Sequence, residues 1–472
     1  MQLWLGQRGS CLGLLFYAML AWGCASGAAT GHVATPSSST TRATIARAPV
    51  SALRAKAFRY RFAIYLARGP SDVAEAVAQQ AKQHGFTLTS QPQGGDLPPV
   101  ATTLSFSTPP IEKFPVPPPE QFEFFTLGLS APEQRRLSAS RAVVVFELAG
   151  PGRTAFEDYK NALVLGRELA EHWGGLPWDE EMRIAFGLKA WQTRIDNWEG
   201  GLPFIKSHVT IHEYQDGEGQ LMRLVSLGMV KLGLPDVVIN DATSQHGPHL
   251  AMLLDLVMQR LAEGDVPDAQ GRMTVSLDGV QHQGQRAWLA EDALENAKRS
   301  TQVTLRPTEP ESGDAENRLL EVIFPNDAGQ RQERQAATVG ELFGSEDTVV
   351  YAEHDAELLA ASARARQRAL KLRSSFAAGD LAGATLIVKS PFAVAGGGQE
   401  WIWVEVVKWQ SDTISGVLTQ DAFDIPGLKA GKRVEVKFSE IFDYLLIRRD
   451  GTREGNDTQV LLDERERARK TK

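Results

Sequence analysis

The sequence predicts an α+β fold: an N-terminal sandwich of helices on an antiparallel sheet, followed by a small β-rich, barrel-like C-terminal part. Three observations carry this. Short runs of β-branched and aromatic residues, separated by Gly, Pro, Ser and Asp, fill Leu386–Leu446. Before position 350 the patterns run β-α-β…β-α-α-β-β, an order that suits helices packed on one face of a mostly antiparallel sheet. At 472 residues the chain exceeds one ordinary core, so two or three domains are expected.

Taken in order, Met1–Gly23 reads as an export signal. Arg8 is its only charge, and the apolar run Leu12–Trp22 is too short for a comfortable transmembrane span. Leu20-Ala-Trp-Gly-Cys24 resembles a lipobox, which makes Cys24 the candidate lipidation site and the membrane a partner through its lipid. The box departs from the usual pattern at Ala21 and Trp22. The alternative is ordinary cleavage near Ala28-Ala29, giving a soluble periplasmic protein. Residues 24–55 are rich in Ser, Thr, Ala and Pro and read as a flexible tether.

Phe58–Leu66 alternates as a strand, Asp72–His84 as a helix stopped by Gly85, and Phe86–Thr89 as a second strand. A Pro-dense connection follows from Pro98 to Pro119. Ala142–Leu148 is a buried strand, and Thr154–His172 and Met182–Arg194 read as helices. Lys206–Tyr214 and Met222–Leu227 form a hairpin turned at Asp216–Gly219. Strands at 234–240, 273–277, 302–305 and 319–324, and an amphipathic helix at 248–264, complete a region of 56–350, with a candidate break near 265–270. A helix at Asp355–Phe376 leads into the β-rich segment, which ends near 459. The charged residues 460–472 read as a tail.

A net charge of −8 argues against a nucleic-acid partner. Both cysteines, Cys11 and Cys24, lie in the leader, so the body has neither disulfide nor thiolate chemistry. No nucleophile elbow, zincin helix or dinucleotide fingerprint occurs, and no cofactor is implied.

Two stretches carry candidate binding residues. Trp173, Trp178, Trp191 and Trp198 stand among Asp179, Glu180, Glu181, Asp196 and Glu199. Aromatic platforms beside carboxylates bind glycans, and paired carboxylates hydrolyse them; the competing reading is core and rim packing with acidic helix starts. In the C-terminal segment, Trp401, Trp403 and Trp409 alternate on one strand face, with Lys389, Glu405 and Asp443 as polar strand members that face solvent or line a cleft. His208 and His212 share a strand face about 13 Å apart, too far for one ion, and His246 and His249 form a loop pair without a third ligand.

The helix ending at Phe376, Leu386–Phe392, Glu400–Val406, Ile414–Leu418, Gly431–Val436 and Ile441-Phe-Asp-Tyr444 together resemble the YegJ-like bacterial domain of unknown function (family 2314) over 355–459. Tyr444 stands where that family often has Trp. The resemblance implies a fold and no reaction. The expectation is therefore an outer-membrane lipoprotein of the cell envelope that binds an envelope protein or cell-wall ligand without catalysis. The alternative is a cell-wall glycan or peptide hydrolase using residues 173–199.

Overall fold

The computed structural model describes residues 16–17, 53–90, 99–215, 221–311, 313–325, 330–345, 355–381, 383–395 and 398–470. Cys24, most of the tether and the 216–219 turn lie outside these. The architecture is α+β, with three large sheets. No helix among the described residues is long and apolar enough to cross a membrane.

The N-terminal sheet is built around Ala57–Leu66, paired antiparallel with Ala142–Pro151 on one side and Leu176–Asp179 on the other. Period-2 alternation sends Tyr60, Phe62 and Ile64 to one face and Ala63 and Tyr65 to the other. On the first face lie the helices Ala155–Trp173 and Leu188–Asp196. The second face is not left to solvent as a one-sided sandwich requires. Ile111, Phe114 and Val116 of the Pro-dense connection pack against it with Phe122, Phe125 and Leu137. Proline fixes φ and removes donors, so this segment covers apolar surface without needing a ladder of its own.

Between Met182 and Arg194 the sequence predicts one helix. The structure instead has a strand, Ile184–Phe186, then a helix from Leu188. Gly187 stands between them in extended conformation as the N-cap, its backbone against Gly128, where a Cβ would collide.

The central sheet holds Thr210–Gln215, Met222–Leu227, Asp236–Ala242, Leu319–Ile323, Ser300–Thr308 and Arg272–Ser276, in that order; Phe16–Tyr17 lie parallel to its first strand. The helix Gly247–Ala262 packs on it, with Leu250, Leu253, Leu254, Val257 and Leu261 inward. One continuous apolar core runs from Phe58 to Phe343 beneath both sheets.

The C-terminal sheet has its own core. Its order is Arg433–Lys437, Thr413–Leu418, Gln399–Gln410, Thr385–Ala393, Asp443–Ile447, Arg453–Gly455. The expected β-rich unit is present as an open sheet rather than a closed barrel: its first and last strands do not pair. Ala365 and Ala369 of the helix Ala356–Ala378 fill one face, so the apolar side is covered by a helix and needs no closure. The charged residues after 460 continue a helix, Asp457–Lys470, whose Arg465 pairs with Asp355 and Glu357 at 2.8 and 2.6 Å.

The three C-terminal tryptophans do not share a face. A bulge between Val406 and Lys408 sets two residues opposite Ser415. Trp401 and Trp403 stay on the outer face with Glu405, and Trp409 turns into the core opposite Ile414.

Candidate functional site

A group of buried charges lies where the N-terminal and central sheets meet, and it centres on Asp179. Strand pairing opposite Phe62 places this carboxylate at the end of Leu176–Asp179. Arg194 reaches it from the helix Leu188–Asp196. Lys231 comes from a 3₁₀ turn, Met229–Leu232, that opens at Gly228. The φ of Gly228 is 127°, and a side chain there would crowd the His208 carbonyl and the Lys231 amine.

Asp179 Oδ2 accepts from Arg194 Nη2 at 2.5 Å, from Lys231 Nζ at 2.8 Å and from the Tyr60 hydroxyl at 3.2 Å. Its Oδ1 accepts from the Met182 amide at 3.0 Å. Arg194 Nη2 also donates to the Tyr159 hydroxyl at 2.7 Å, which meets His208 Nδ1 at 2.9 Å. The Arg194 guanidinium lies over the rings of Phe186 and Trp191 at 4.4 and 4.6 Å.

Asp179, Arg194, Lys231, Tyr60, Tyr159 and His208 are all buried. Burial raises the Asp179 pKa, but the Lys231 and Arg194 charges more than offset this and hold it below the usual carboxylate range. Burial draws Lys231 down to about 8 against the pull of Asp179. Glu181 beside them is pushed up to about 7, by burial and then by the Asp179 charge. Burial holds the His208 imidazole well below its ordinary value, and the nearby Arg194 and Lys231 charges add to this, so it stays neutral. The arrangement clamps two sheets together and leaves Asp179 no free proton chemistry.

The tryptophans of this stretch do not converge on one platform. Trp191 is fully buried and donates to the Leu163 carbonyl at 2.8 Å. Trp178 lies in the apolar cluster on the opposite face of the sheet, its indole donating to Glu180 at 2.6 Å. Trp173 is half-buried and donates to Asp72 at 3.1 Å. Trp198 is half-buried with its ring against Phe156, Tyr159 and His208.

His208 and His212 do not share a strand face either, because a 3₁₀ turn, Ile205–Ser207, precedes His208 and the strand begins at Thr210. His246 stands at the N-cap position of the helix Gly247–Ala262 without a side-chain capping bond, and His249 stacks on Phe343 at 4.9 Å. Among the described residues, no group of three His, Cys, Asp or Glu is placed to hold a metal.

In the C-terminal unit, Lys389 is half-buried, its amine 5.6 Å from the Trp403 ring centroid, and it is the register partner of Asp443. Asp443 is buried and accepts from the Thr458 amide and hydroxyl at 2.7 and 2.6 Å, tying down the first turn of the last helix. Trp401 stacks obliquely on Phe442 at 4.6 Å.

Glu405 neither faces solvent nor lines a cleft. Its two oxygens accept from the Ser244 and Gln245 amides at 2.7 and 2.9 Å, just before the central helix, and so hold the C-terminal unit to the central sheet. Beside this contact, Arg433 donates to Gln332 at 3.2 Å.

This C-terminal unit is the part with a known likeness. Residues 355–472 match the family model of an uncharacterised protein conserved in bacteria, DUF2314. The match takes in the open sheet, both of its helices and Glu405. No curated protein and no solved structure matches the chain.

Sequence reasoning missed Arg194 and Lys231. Lys231 leaves one trace, a lone cation in the apolar run Leu227-Gly-Met-Val-Lys-Leu-Gly-Leu234. Arg194 looks like any helix-end arginine.

Proposed function

We propose that the protein is a cell-envelope lipoprotein, held at the membrane through a lipid on Cys24, that acts by binding an envelope partner rather than by catalysis. The observation that carries the non-catalytic part is the state of Asp179. It is the buried carboxylate at the centre of the Trp-rich stretch, and two cations and two further donors occupy it. A glycosidase needs two carboxyl groups facing one sugar, with room between them for substrate. Trp191 and Trp178, which would form the platform, are instead packed in cores on opposite faces of one sheet. The DUF2314-matching unit supports the binding part, since it is a separately cored module with half-buried Trp401 and Trp403 on the sheet face away from its helix.

The test is incubation of the full chain with purified cell-wall sacculi, followed by chromatography of released fragments. The expected result is no release above a heat-killed control. Release that disappears in Asp179→Asn, in protein whose circular dichroism matches the wild type, restores the hydrolase reading.

A further inference from the structure

The helix Ala356–Ala378 has three sides with different neighbours. Ala365, Ala369, Leu372 and Phe376 pack onto the C-terminal sheet. Along a second side runs the helix Asp457–Lys470, where Arg368 pairs with Asp457, and Arg465 with Asp355 and Glu357. The third side faces solvent. Glu405 ties the opposite face of the sheet to the central sheet, so this side of the helix points away from the rest of the chain.

On that side Leu359 and Leu370 are 50% and 51% exposed. Their separation is about three helical turns, which sets them on one stripe. At about 100° per residue, Arg366 and Arg373 flank the stripe on one side, and Arg364 and Lys371 on the other. From Leu358 to Ala378 the helix carries these four cations, Arg368 and no acidic residue, in a chain whose net charge is −8. Arg366 donates to the Ser439 carbonyl at 2.8 Å. Arg364, Lys371 and Arg373 meet no carboxylate among the described residues.

We propose that this face of the helix Ala356–Ala378 docks on an anionic phospholipid bilayer, with Leu359 and Leu370 entering the headgroup region and the flanking cations pairing with lipid phosphates.

A helix face built only for water balances its cations with acids three or four residues away. Here that balance is missing, and Arg364 and Arg368, four residues apart, repel each other mildly. An anionic surface supplies the missing charge, and each cation close to it adds to the attraction. A nucleic acid would engage the cations and leave the leucines idle. An interfacial helix uses both, its apolar residues sinking between basic flanks. The inference rests on the envelope reading for its setting, since docking lays the C-terminal unit on the surface to which a Cys24 lipid tethers the chain.

The test uses the mature chain with Cys24→Ala, made without leader or lipid, so its failure leaves attachment through Cys24 untouched. The protein is sedimented with vesicles of phosphatidylglycerol and phosphatidylcholine in about equal parts, and with phosphatidylcholine alone. Affinity for the anionic vesicles is expected to be about tenfold higher or more at low salt, and to fall as salt is raised. Reversing two exposed charges, with Arg364→Glu and Lys371→Glu together, should weaken it about tenfold. Leu359→Ser with Leu370→Ser should weaken it several-fold. Equal binding to both vesicles overturns the proposal, as does wild-type binding by the charge-reversed variant. If circular dichroism shows that variant unfolded, the leucine pair decides, and undiminished binding there overturns the bilayer contact. A short DNA duplex bound more tightly than the vesicles, and equally well by the leucine variant, overturns the bilayer as the occupant.

Discussion

Arg194 Nη2 and Asp179 Oδ2 stand 2.5 Å apart with both side chains buried, and Lys231 completes the site from the 3₁₀ turn Met229–Leu232. Removing one partner of such a buried pair strands the other charges, at a cost of about 3–5 kcal/mol. Asp179→Ala is therefore expected to lower the unfolding free energy by an amount in that range, measured by urea unfolding. A change below about 1 kcal/mol would show that the carboxylate is not holding the sheets.

Trp191 and Trp178 belong to apolar clusters on opposite faces of the N-terminal sheet. Trp191→Ala leaves a cavity and removes the indole's hydrogen bond to the Leu163 carbonyl, for about 3–5 kcal/mol. Because the clusters are separate, the double variant with Trp178→Ala should equal the sum of the two losses within about 0.5 kcal/mol. A larger coupling in thermal or urea unfolding would mean that the two rings work as one platform.

The bulge at Val406–Lys408 fixes which residue of the strand is buried. With it, Trp409 is in the core and Lys408 is exposed. Trp409→Ala should cost about 3–5 kcal/mol, whereas Lys408→Ala should cost below about 1 kcal/mol. Unbroken alternation from Trp401 predicts the reverse order, so the pair of unfolding curves distinguishes the two registers.

Acid should weaken the fold through its buried imidazoles. Burial, with the Arg183 charge, draws His212 from 6.5 down to about 4. A depressed folded pKa gives stability that is present above 6.5 and lost as pH falls toward 4. Between pH 7 and pH 4.5 this amounts to about 2 kcal/mol. Urea unfolding at those two pH values should show His212→Gln losing less stability than the wild type by that amount. Equal losses would contradict a neutral, buried His212.

The strands and long helices were legible because their hydrophobic period is local. Phe58–Leu66, Ala142–Leu148 and the helix at 247–262 all stand within a few residues of their expected bounds. What was not legible depended on partners far along the chain. The sheet at 385–455 stays open because a helix from 356 onward covers it, and closure is not written in strand composition. The flip of Trp409 depends on one extra residue measured against Ser415. In the candidate site, Asp179 was visible as an acid among tryptophans. Its partners were not, because Arg194 and Lys231 reach it from elements 15 and 52 residues away. Glu405 was visible as a polar strand residue, but its partners Ser244 and Gln245 lie 161 and 160 residues earlier.

The central claim, attachment to the envelope through Cys24, is tested most directly by mass spectrometry of the mature N-terminus, with membrane fractionation, in wild type and Cys24→Ala. The account predicts a diacylglyceryl-modified Cys24 as the first residue and protein in the membrane fraction, both lost in the variant. An unmodified N-terminus further along the chain, with both proteins in the soluble fraction, would contradict it.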